Sequence, residues 1–369
     1  IHMSKSTIAL VAVIAVIAAA CARDNETTST TPSLDLTENI SVDESAALPV
    51  KDLAYVQLNG DSAAAYFKDA VIIDVVGDTA VLLEKDPSMS RLIMYNIDSG
   101  EYLGEINHRG QGPGEYRVIL GAFVNGKDGS VLLPNFDNPS VYKYSLAADT
   151  LMTTIDRKMV MSMIEPVGGT GSAINVATPT PDGLKVLQYD DNYSLIDSIE
   201  VDGFHGGNFN LLWANAGNVG VFMMADTLYT FVPGAMQPLA ILKRGNYALT
   251  PEQDQETTMK VMDGADEIEV LKPYILVRDV QFTDGKMLLT TMHDGHKYSD
   301  IYDMDNGSLI YRNKYERLSA PSNIVVSCPD GKTIEVERLF AKEGKWYGIV
   351  SEDSVAADSS NCALVCFSL

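Results

Sequence analysis

Two histidines and an aspartate stand within four residues at positions 293–296, in the order His-Asp-Gly-His. Asp-Gly is a favoured pair for a two-residue turn between antiparallel strands, so this order predicts a hairpin with His293 opposite His296. The Cβ atoms of such a pair lie about 5 Å apart. Two imidazoles at that separation could begin a divalent-metal site, with Asp294 or Asp300 as a further ligand. The alternative is a solvated hairpin tip that holds no ligand.

A second candidate is the glycine-rich stretch His108–Tyr116, which reads H-R-G-Q-G-P-G-E-Y. Its glycines permit backbone angles closed to other residues and its proline rigidifies the turn, so it is neither a helix nor a central strand. Because it lies between two strand-like segments, it indicates an ordered connection between two sheet units. A phosphate-binding loop is the alternative, but no helix follows the stretch. The residues of this candidate rim loop for a ligand are Arg109, Gly110, Gly112, Pro113, Gly114, Glu115 and Tyr116.

The overall charge limits the classes of partner. The chain of 369 residues carries 27 Lys and Arg against 50 Asp and Glu, a formal net charge of −23. Such a surface repels nucleic acid and anionic membranes, so we expect no nucleic-acid partner. No G-x-S-x-G motif occurs, so a hydrolase with that nucleophile has no support. With so many acidic residues, carboxylate pairs suited to glycoside cleavage arise by number alone and identify no site.

The four cysteines are Cys21, Cys328, Cys362 and Cys366. If Cys362 and Cys366 share one strand, their Cα atoms lie about 13 Å apart, which is too far for a disulfide. The sequence has no C-x-x-C pair, so a zinc site of that type is not indicated. We therefore expect mostly buried free thiols.

The first 20 residues have the pattern of a signal peptide. Lys5 supplies a positive charge, and Ile8–Ala20 is an apolar run too short for a transmembrane helix of about 20 residues. Residues 17–21 resemble the lipobox of bacterial lipoproteins, which implies cleavage before Cys21 and its acylation; an ordinary secretory signal is the alternative. Residues 21–48 are rich in polar residues and predict a flexible tether before a domain at 49–369.

From Leu53 onward the chain consists of apolar or alternating runs of five to eight residues, separated by Asp-Gly, Asn-Gly and Ser-Gly turns. An apolar run that ends in aspartate recurs six times, which predicts six repeat units. Four antiparallel strands in about 40 residues is the size of a propeller blade. Two stacked β-sandwiches are the alternative. The six runs are 81–86, 131–137, 184–190, 219–226, 287–294 and 346–353.

The fifth unit and the two ends of the domain give specific expectations. We predict strands at Val277–Thr283, Lys286–Met292, Tyr298–Met304 and Ser308–Asn313. The last unit ends at its third strand, Ala363–Phe367, and Leu53–Leu58 is a spare strand. We predict that the spare strand pairs with the last unit and closes the ring, which removes an open sheet edge.

One helical insertion breaks the pattern of strands. Thr250, Pro251 and Gln253 form a good helix start, with threonine as N-cap, proline at N1 and glutamine at N3. A short helix from Pro251 to about Met262 should follow, between the fourth and fifth units.

The core of the glycine-rich stretch, G-Q-G-P-G-E-Y at residues 110–116, resembles the G-x-G-P-G-E-[YF] signature of six-bladed β-propeller lipoproteins of Bacteroides-type bacteria. These are TolB-like propellers. The resemblance implies an all-β, six-bladed propeller of four-stranded antiparallel blades, exported and lipid-anchored to the outer membrane of a Gram-negative bacterium. It implies no reaction.

Three functions remain open on these grounds. The first is a non-enzymatic module that binds an envelope protein or a glycan or peptide ligand and meets the membrane only through its lipid anchor. The second is a metal-assisted lyase or hydrolase at the axial mouth, which requires three or more metal-ligating groups to converge. The third is a structural subunit with an exposed apolar face. The aromatic residues that could stack on a ligand are Phe136, Tyr189, Tyr193, Phe204, Phe209 and Trp213.

Overall fold

The structure is a computed structural model, and it describes the backbone of most of the chain from residue 31 onward. Pro32–Leu369 forms one compact unit. Within the described ranges no helix has the length and apolar character needed to cross a membrane. Those ranges are 31–60, 63–84, 90–119, 121–134, 140–156, 166–170, 173–180, 183–190, 192, 194–202, 213–216, 219–232, 234–316, 318, 321–351 and 362–369.

The strands of the described residues form six hydrogen-bonded sheets, numbered here in chain order. Sheet 1 contains Ala70–Val76, Thr79–Glu84, Arg91–Asn96 and Tyr102–Ile106; sheet 2 contains Phe123–Asn125, Ser130–Pro134, Ser140–Ser145 and Thr150–Asp156; and sheet 3 contains Pro166–Thr170, Ala173–Thr180, Gly183–Tyr189 and Leu195–Asp202. Sheet 4 contains Trp213–Ala216, Val219–Met224, Thr227–Val232 and Ala235–Lys243, with Ser33–Asp35 added in parallel. Sheet 5 contains Leu276–Thr283, Lys286–His293, His296–Asp303 and Leu309–Tyr315. Sheet 6 contains Asn323–Ser327, Thr333–Lys342, Lys345–Ser351 and Cys362–Ser368, with Leu48–Pro49 and Lys51–Gln57 at its edges.

Turn chemistry accounts for the hairpins of sheet 5. Asp284 and Gly285 have φ of 49° and 69°, and Asp294 and Gly295 have φ of 49° and 73°. Two successive positive φ angles define the turn whose twist matches that of the flanking strands, and Asp-Gly adopts it at low cost. The four strands predicted for this unit are confirmed within two residues, and each of the six repeated runs begins on a strand of a different sheet.

The two ends of the domain meet in sheet 6. Lys51–Gln57 pairs antiparallel with Cys362–Ser368, with Tyr55 opposite Val365 and Ala54 opposite Cys366. The predicted pairing of the spare strand with the last unit is confirmed. Cys362 is buried, whereas Cys328 and Cys366 are half-buried free thiols, so the expectation of mostly buried thiols holds for Cys362 alone.

Apolar side chains fill the space between successive sheets, and sheet 6 shares a core with sheet 1. Alternation places one set of side chains of each strand on either face of its sheet, so every sheet contributes to two cores. Repeated four-stranded antiparallel sheets packed in this way are the architecture of a β-propeller. Members of the six inter-sheet cores are Leu83 with Val131, Leu132 with Tyr189, Val186 with Phe222, Val221 with Val280, Leu288 with Trp346, and Ile349 with Leu82.

Residues 33–49, here called the strap, lie along the edges of sheets 4, 5 and 6. Leu34 is fully buried, and Asp35 caps helix α1 (Leu36–Asn39) by accepting hydrogen bonds from two backbone amides. The backbone of Ser45 bonds Arg312, and Leu48 pairs with Val326. The prediction of a tether over residues 21–48 is therefore wrong from residue 33 onward. Leu34, Leu36 and Leu48 are buried, and the apolar surface that they remove from water offsets the cost of ordering a polar segment.

The helical insertion is confirmed. Helix α2 spans Pro251–Met262, and Thr250 and Gln253 form a reciprocal capping box at its start. A second helix, α3 (Glu267–Leu271), follows and was not predicted, although Asp266 caps it. Single-turn 3₁₀ helices lie at Ala63–Ala65 and Gly245–Tyr247.

Candidate functional site

The glycine-rich loop is held by its own hydrogen bonds. The backbone amide of Tyr116 donates to His108 O at 3.0 Å, and that of Gly110 donates to Tyr116 O at 2.9 Å. The Glu115 carboxylate accepts from the amide of Gly112 at 2.7 Å. A Cβ at Gly110 would lie 2.0 Å from Glu115 Oε2, so a larger residue there would displace that carboxylate. The stretch is thus an ordered connection, as its composition predicted.

The same loop is attached to both sheets that it joins. The buried hydroxyl of Tyr116 donates to Ile106 O, at the end of sheet 1. The hydroxyl of Tyr144 in sheet 2 donates to Gly114 O. The His108 ring stacks on Tyr144 with centroids 4.9 Å apart, and its Nε2 lies 2.8 Å from Asp149 Oδ1. These contacts give the loop a structural role, and its prediction as a ligand loop stays a prediction, carried by the exposed Arg109, Pro113 and Glu115.

His293 and His296 pair directly across the predicted hairpin. Their Nδ1 atoms, however, contact backbone carbonyls, that of His293 lying 3.3 Å from Tyr274 O and that of His296 lying 2.8 Å from Asp294 O. Among the residues that the structure describes, no group of three or more His, Cys, Asp or Glu side chains could hold a metal ion. A metal at this hairpin stays a prediction, with two histidines and no third side-chain ligand identified.

His293 lines a cleft of about 260 Å³, a volume that includes open solvent. Its polar wall is an ion pair in which Arg312 bonds Asp300 through Nε at 2.8 Å and Nη2 at 2.6 Å. Arg312 also donates to Asn39 O of the strap. The pair therefore attaches the strap to sheet 5. The other lining residues are Leu36, Ile40, Ile275, Thr291 and Tyr298.

The face of sheet 5 that packs against sheet 6 is apolar over part of its length and polar at one end. Leu288, Ile301 and Tyr311 belong to the core shared with sheet 6. Toward the end of the sheet that carries the Asp294–Gly295 turn, here called the lower end, this face becomes polar. The side chains lie in two rows across the strands. One row is Asp279, Thr290, Ser299 and Asn313, and the row nearest the turn is Met292, Lys297 and Tyr315 beside Arg278.

Sheet 6 completes this polar region. Ser299 Oγ lies 3.1 Å from Tyr315 Oη and accepts from the Asn323 amide at 3.3 Å. The Asn323 side chain accepts from Asn313 and donates to Glu335. Thr290 Oγ1 is buried and has no hydrogen-bond partner among the described residues. A buried hydroxyl without a partner costs free energy, so it marks a place where a polar group from outside would be favoured.

The charges at the lower end are perturbed by burial. Burial lowers the pKa of Lys297, with Asp279 opposing the change and Arg278 adding to it. Burial also lowers the pKa of Arg278, against the attraction of Glu267. The pKa of Tyr315 is raised to about 12 by burial, so its hydroxyl stays protonated. Perturbed titratable groups gathered between two sheets are a physical mark of a functional site.

Sequence reasoning did not find Arg278 or Lys297. Arg278 lies in a bulge, where the register of the first strand of sheet 5 shifts between Val277 and Asp279. Bulges re-aim side chains and recur beside functional sites. The one available signal was the pair Arg278-Asp279 inside an otherwise apolar run, which is too common a feature to have identified a site.

The other predicted residues are dispersed. Tyr189 is buried in the core between sheets 2 and 3, so it is not available for stacking. Trp213 begins a strand of sheet 4. Cys21, Phe136, Tyr193, Phe204 and Phe209 lie outside the described residues.

Comparison with known proteins agrees with this architecture. A family model, DUF5128, described as a 6-bladed β-propeller, matches residues 40–167, which is less than half of the chain. The fold is that of a propeller. A Bacteroides fragilis protein considered to be exported superposes with a TM-score of 0.63 at 13% identity, over 92% of this chain and 99% of that one. A member of the DUF4221 family from Bacteroides vulgatus gives 0.51 at 10% identity, over 87% and 97%. No curated protein matches the sequence.

Proposed function

We infer that the protein is an exported, lipid-anchored six-bladed propeller that binds a ligand or a protein partner at the cell envelope. The six sheets would be the six blades, and Lys51–Gln57 would close the ring as the outer strand of the last blade. Contacts between Thr333–Lys342 of sheet 6 and Ala70–Val76 of sheet 1 support closure. The likeness in fold to a Bacteroides protein considered to be exported, together with the signal-like start and Cys21, supports export and anchoring.

The binding role rests on one observation, the polar region at the lower end between sheets 5 and 6. Burial disfavours the charged forms of Arg278 and Lys297 there, and Thr290 Oγ1 has no hydrogen-bond partner among the described residues. Groups that cost free energy in the folded chain are expected where they recover it by binding. The metal-assisted lyase or hydrolase has less support, because the described residues bring no three metal-ligating side chains together.

The test is a ligand screen on the full-length protein in metal-free buffer and again with divalent cations. Neutral oligosaccharides, acidic saccharides and short peptides would be added in turn, and the melting temperature and any product would be followed together. We expect at least one probe to raise the melting temperature without being consumed; a ligand at 100 times its Kd adds about 2.7 kcal/mol. A product that forms only with metal would favour the enzyme instead, and no response to any probe would refute the binding role.

A further inference from the structure

We propose that Arg278 and Lys297 form the contact site for a carboxylate group on a small ligand. This proposal rests on the binding role given above and names the chemistry that it would recognise. The site lies at the lower end of sheet 5, between that sheet and sheet 6, where the polar rows of side chains meet the solvent.

The contacts of the Arg278 guanidinium are with a weak acceptor and a distant carboxylate. Its Nε lies 3.2 Å from the thioether sulfur of Met292, and its Nη2 lies 3.9 Å from Glu267 Oε1. A thioether is a weak acceptor, and 3.9 Å is beyond hydrogen-bond distance. The guanidinium side chain is only 28% exposed. Within the part of the chain that the structure describes, a planar donor group held in this way retains N–H groups for an acceptor from outside.

Lys297 lies next to Arg278 on the same face. Met292 is directly opposite Lys297 across one strand pair, and Tyr315 is directly opposite it across the next. The ammonium group is 6.0 Å from the Tyr315 ring centroid. Arg278 Nε contacts Met292, the residue directly opposite Lys297, so the two cations are near each other, and the charge of Arg278 contributes to the lowered pKa of Lys297. A shared anion would relieve that repulsion.

A carboxylate fits this site better than other anions. The guanidinium fork matches the two oxygens of a carboxylate, and a lysine beside it adds a point charge. The formal net charge of −23 repels polyanions, which excludes nucleic acids and polyphosphates. Each cation also has an apolar neighbour, Met292 beside Arg278 and the Tyr315 ring near Lys297, which could contact the body of a small molecule. Sugar acids and peptide C-termini both offer this chemistry.

The experiment is saturation-transfer NMR and titration calorimetry on the full-length protein. The probes are glucuronate and N-acetyl-Ala-Ala, each paired with its uncharged counterpart, glucose and N-acetyl-Ala-Ala amide. We expect one acid to bind and its counterpart not to bind, and the affinity to fall with added salt. Which acid binds identifies the saccharide or the peptide source. Inorganic phosphate is a third probe, and equal binding of phosphate would overturn the preference for carboxylate.

Variants locate the site. Arg278→Gln and Lys297→Met should each lower the binding affinity for the acid at least tenfold, as expected for loss of a charged hydrogen bond. Lys297→Arg should retain most of the affinity, which separates charge from misfolding. Lys332→Gln is the control, because Lys332 is 81% exposed and away from the site. Unchanged affinity in both site variants would overturn the proposal. Binding of neutral probes alone would refute the carboxylate while sparing the binding role, and binding of none would refute both.

Discussion

The positive charge of Lys297 lowers the stability of the folded state. Burial lowers its pKa, so the folded protein binds its proton less tightly than the unfolded chain does. Stability then rises as pH increases from the lowered pKa toward the ordinary lysine value of about 10.4. Below that window the charged side chain carries the full cost of its burial.

We therefore expect Lys297→Met to stabilise the protein at pH 7, by up to about 1 kcal/mol for a partly exposed charge. The advantage over wild type should be smaller at pH 10 than at pH 7, because the lowered pKa lets the folded wild type release this proton at a lower pH than the unfolded chain does. Urea denaturation at both pH values measures this, with Lys332→Gln as the exposed control. A destabilised variant, or an advantage that grows with pH, would contradict the assignment.

At the scale of elements, the glycine-rich loop depends on one glycine for two reasons. Gly114 has φ of +79°, and a Cβ there would lie 2.6 Å from Leu151 Cδ2 of sheet 2. Gly129 is a matched control, because it has φ of +64° and open space around the same position. Gly129→Ala reports backbone strain alone, at about 1 kcal/mol.

Gly114→Ala should cost more than Gly129→Ala, by up to about 1 kcal/mol, since the methyl group must also displace the exposed side chain of Leu151. Chemical denaturation of the two variants measures the difference. Equal losses would mean that the loop does not pack on sheet 2 as described.

The strap makes a second prediction at this scale. Leu34 is fully buried in the core shared by sheets 4 and 5, whereas Val42 in the same segment is 45% exposed. Leu34→Ala should lower the free energy of unfolding by about 2–5 kcal/mol, and Val42→Ala should change it by less than about 0.5 kcal/mol. Urea titrations of both variants decide this. If both variants change the free energy of unfolding by similarly small amounts, the strap does not pack as described and the prediction of a flexible tether up to residue 48 stands.

At the scale of the whole molecule, closure of the ring can be tested with a native thiol. Ala54 lies directly opposite Cys366, and their side chains line one pocket with Ile72 of sheet 1. Tyr55 is opposite Val365, on the other face of the strand. Ala54→Cys should therefore form a disulfide with Cys366, and Tyr55→Cys should not.

The bond would close a loop of most of the chain and stabilise the protein by about 3–5 kcal/mol. Because burial raises the pKa of Cys366, oxidation should be faster at alkaline pH. Free-thiol counting and melting curves with and without reductant measure the outcome. Disulfides only between molecules, or none, would place Lys51–Gln57 elsewhere.

The sequence by itself determined the features that depend on near neighbours. Period-two alternation and Asp-Gly turns specified the strands of sheet 5, because strand and turn preferences act over a few residues. The capping residues Thr250 and Gln253 specified the start of helix α2 for the same reason. Counting strands predicted the pairing at the two ends, because a missing partner strand leaves an edge.

Only the tertiary structure decided what depends on distant residues. The strap is ordered because Leu34 and Leu48 pack into cores built from residues hundreds of positions away. Its polar composition therefore wrongly predicted a flexible tether. Arg278, Lys297 and Tyr315 meet because three strands align in one register, and a bulge turns Arg278 toward Met292. A shift of one residue in any of these strands would move its side chains to the other face, so no local pattern could have placed this site.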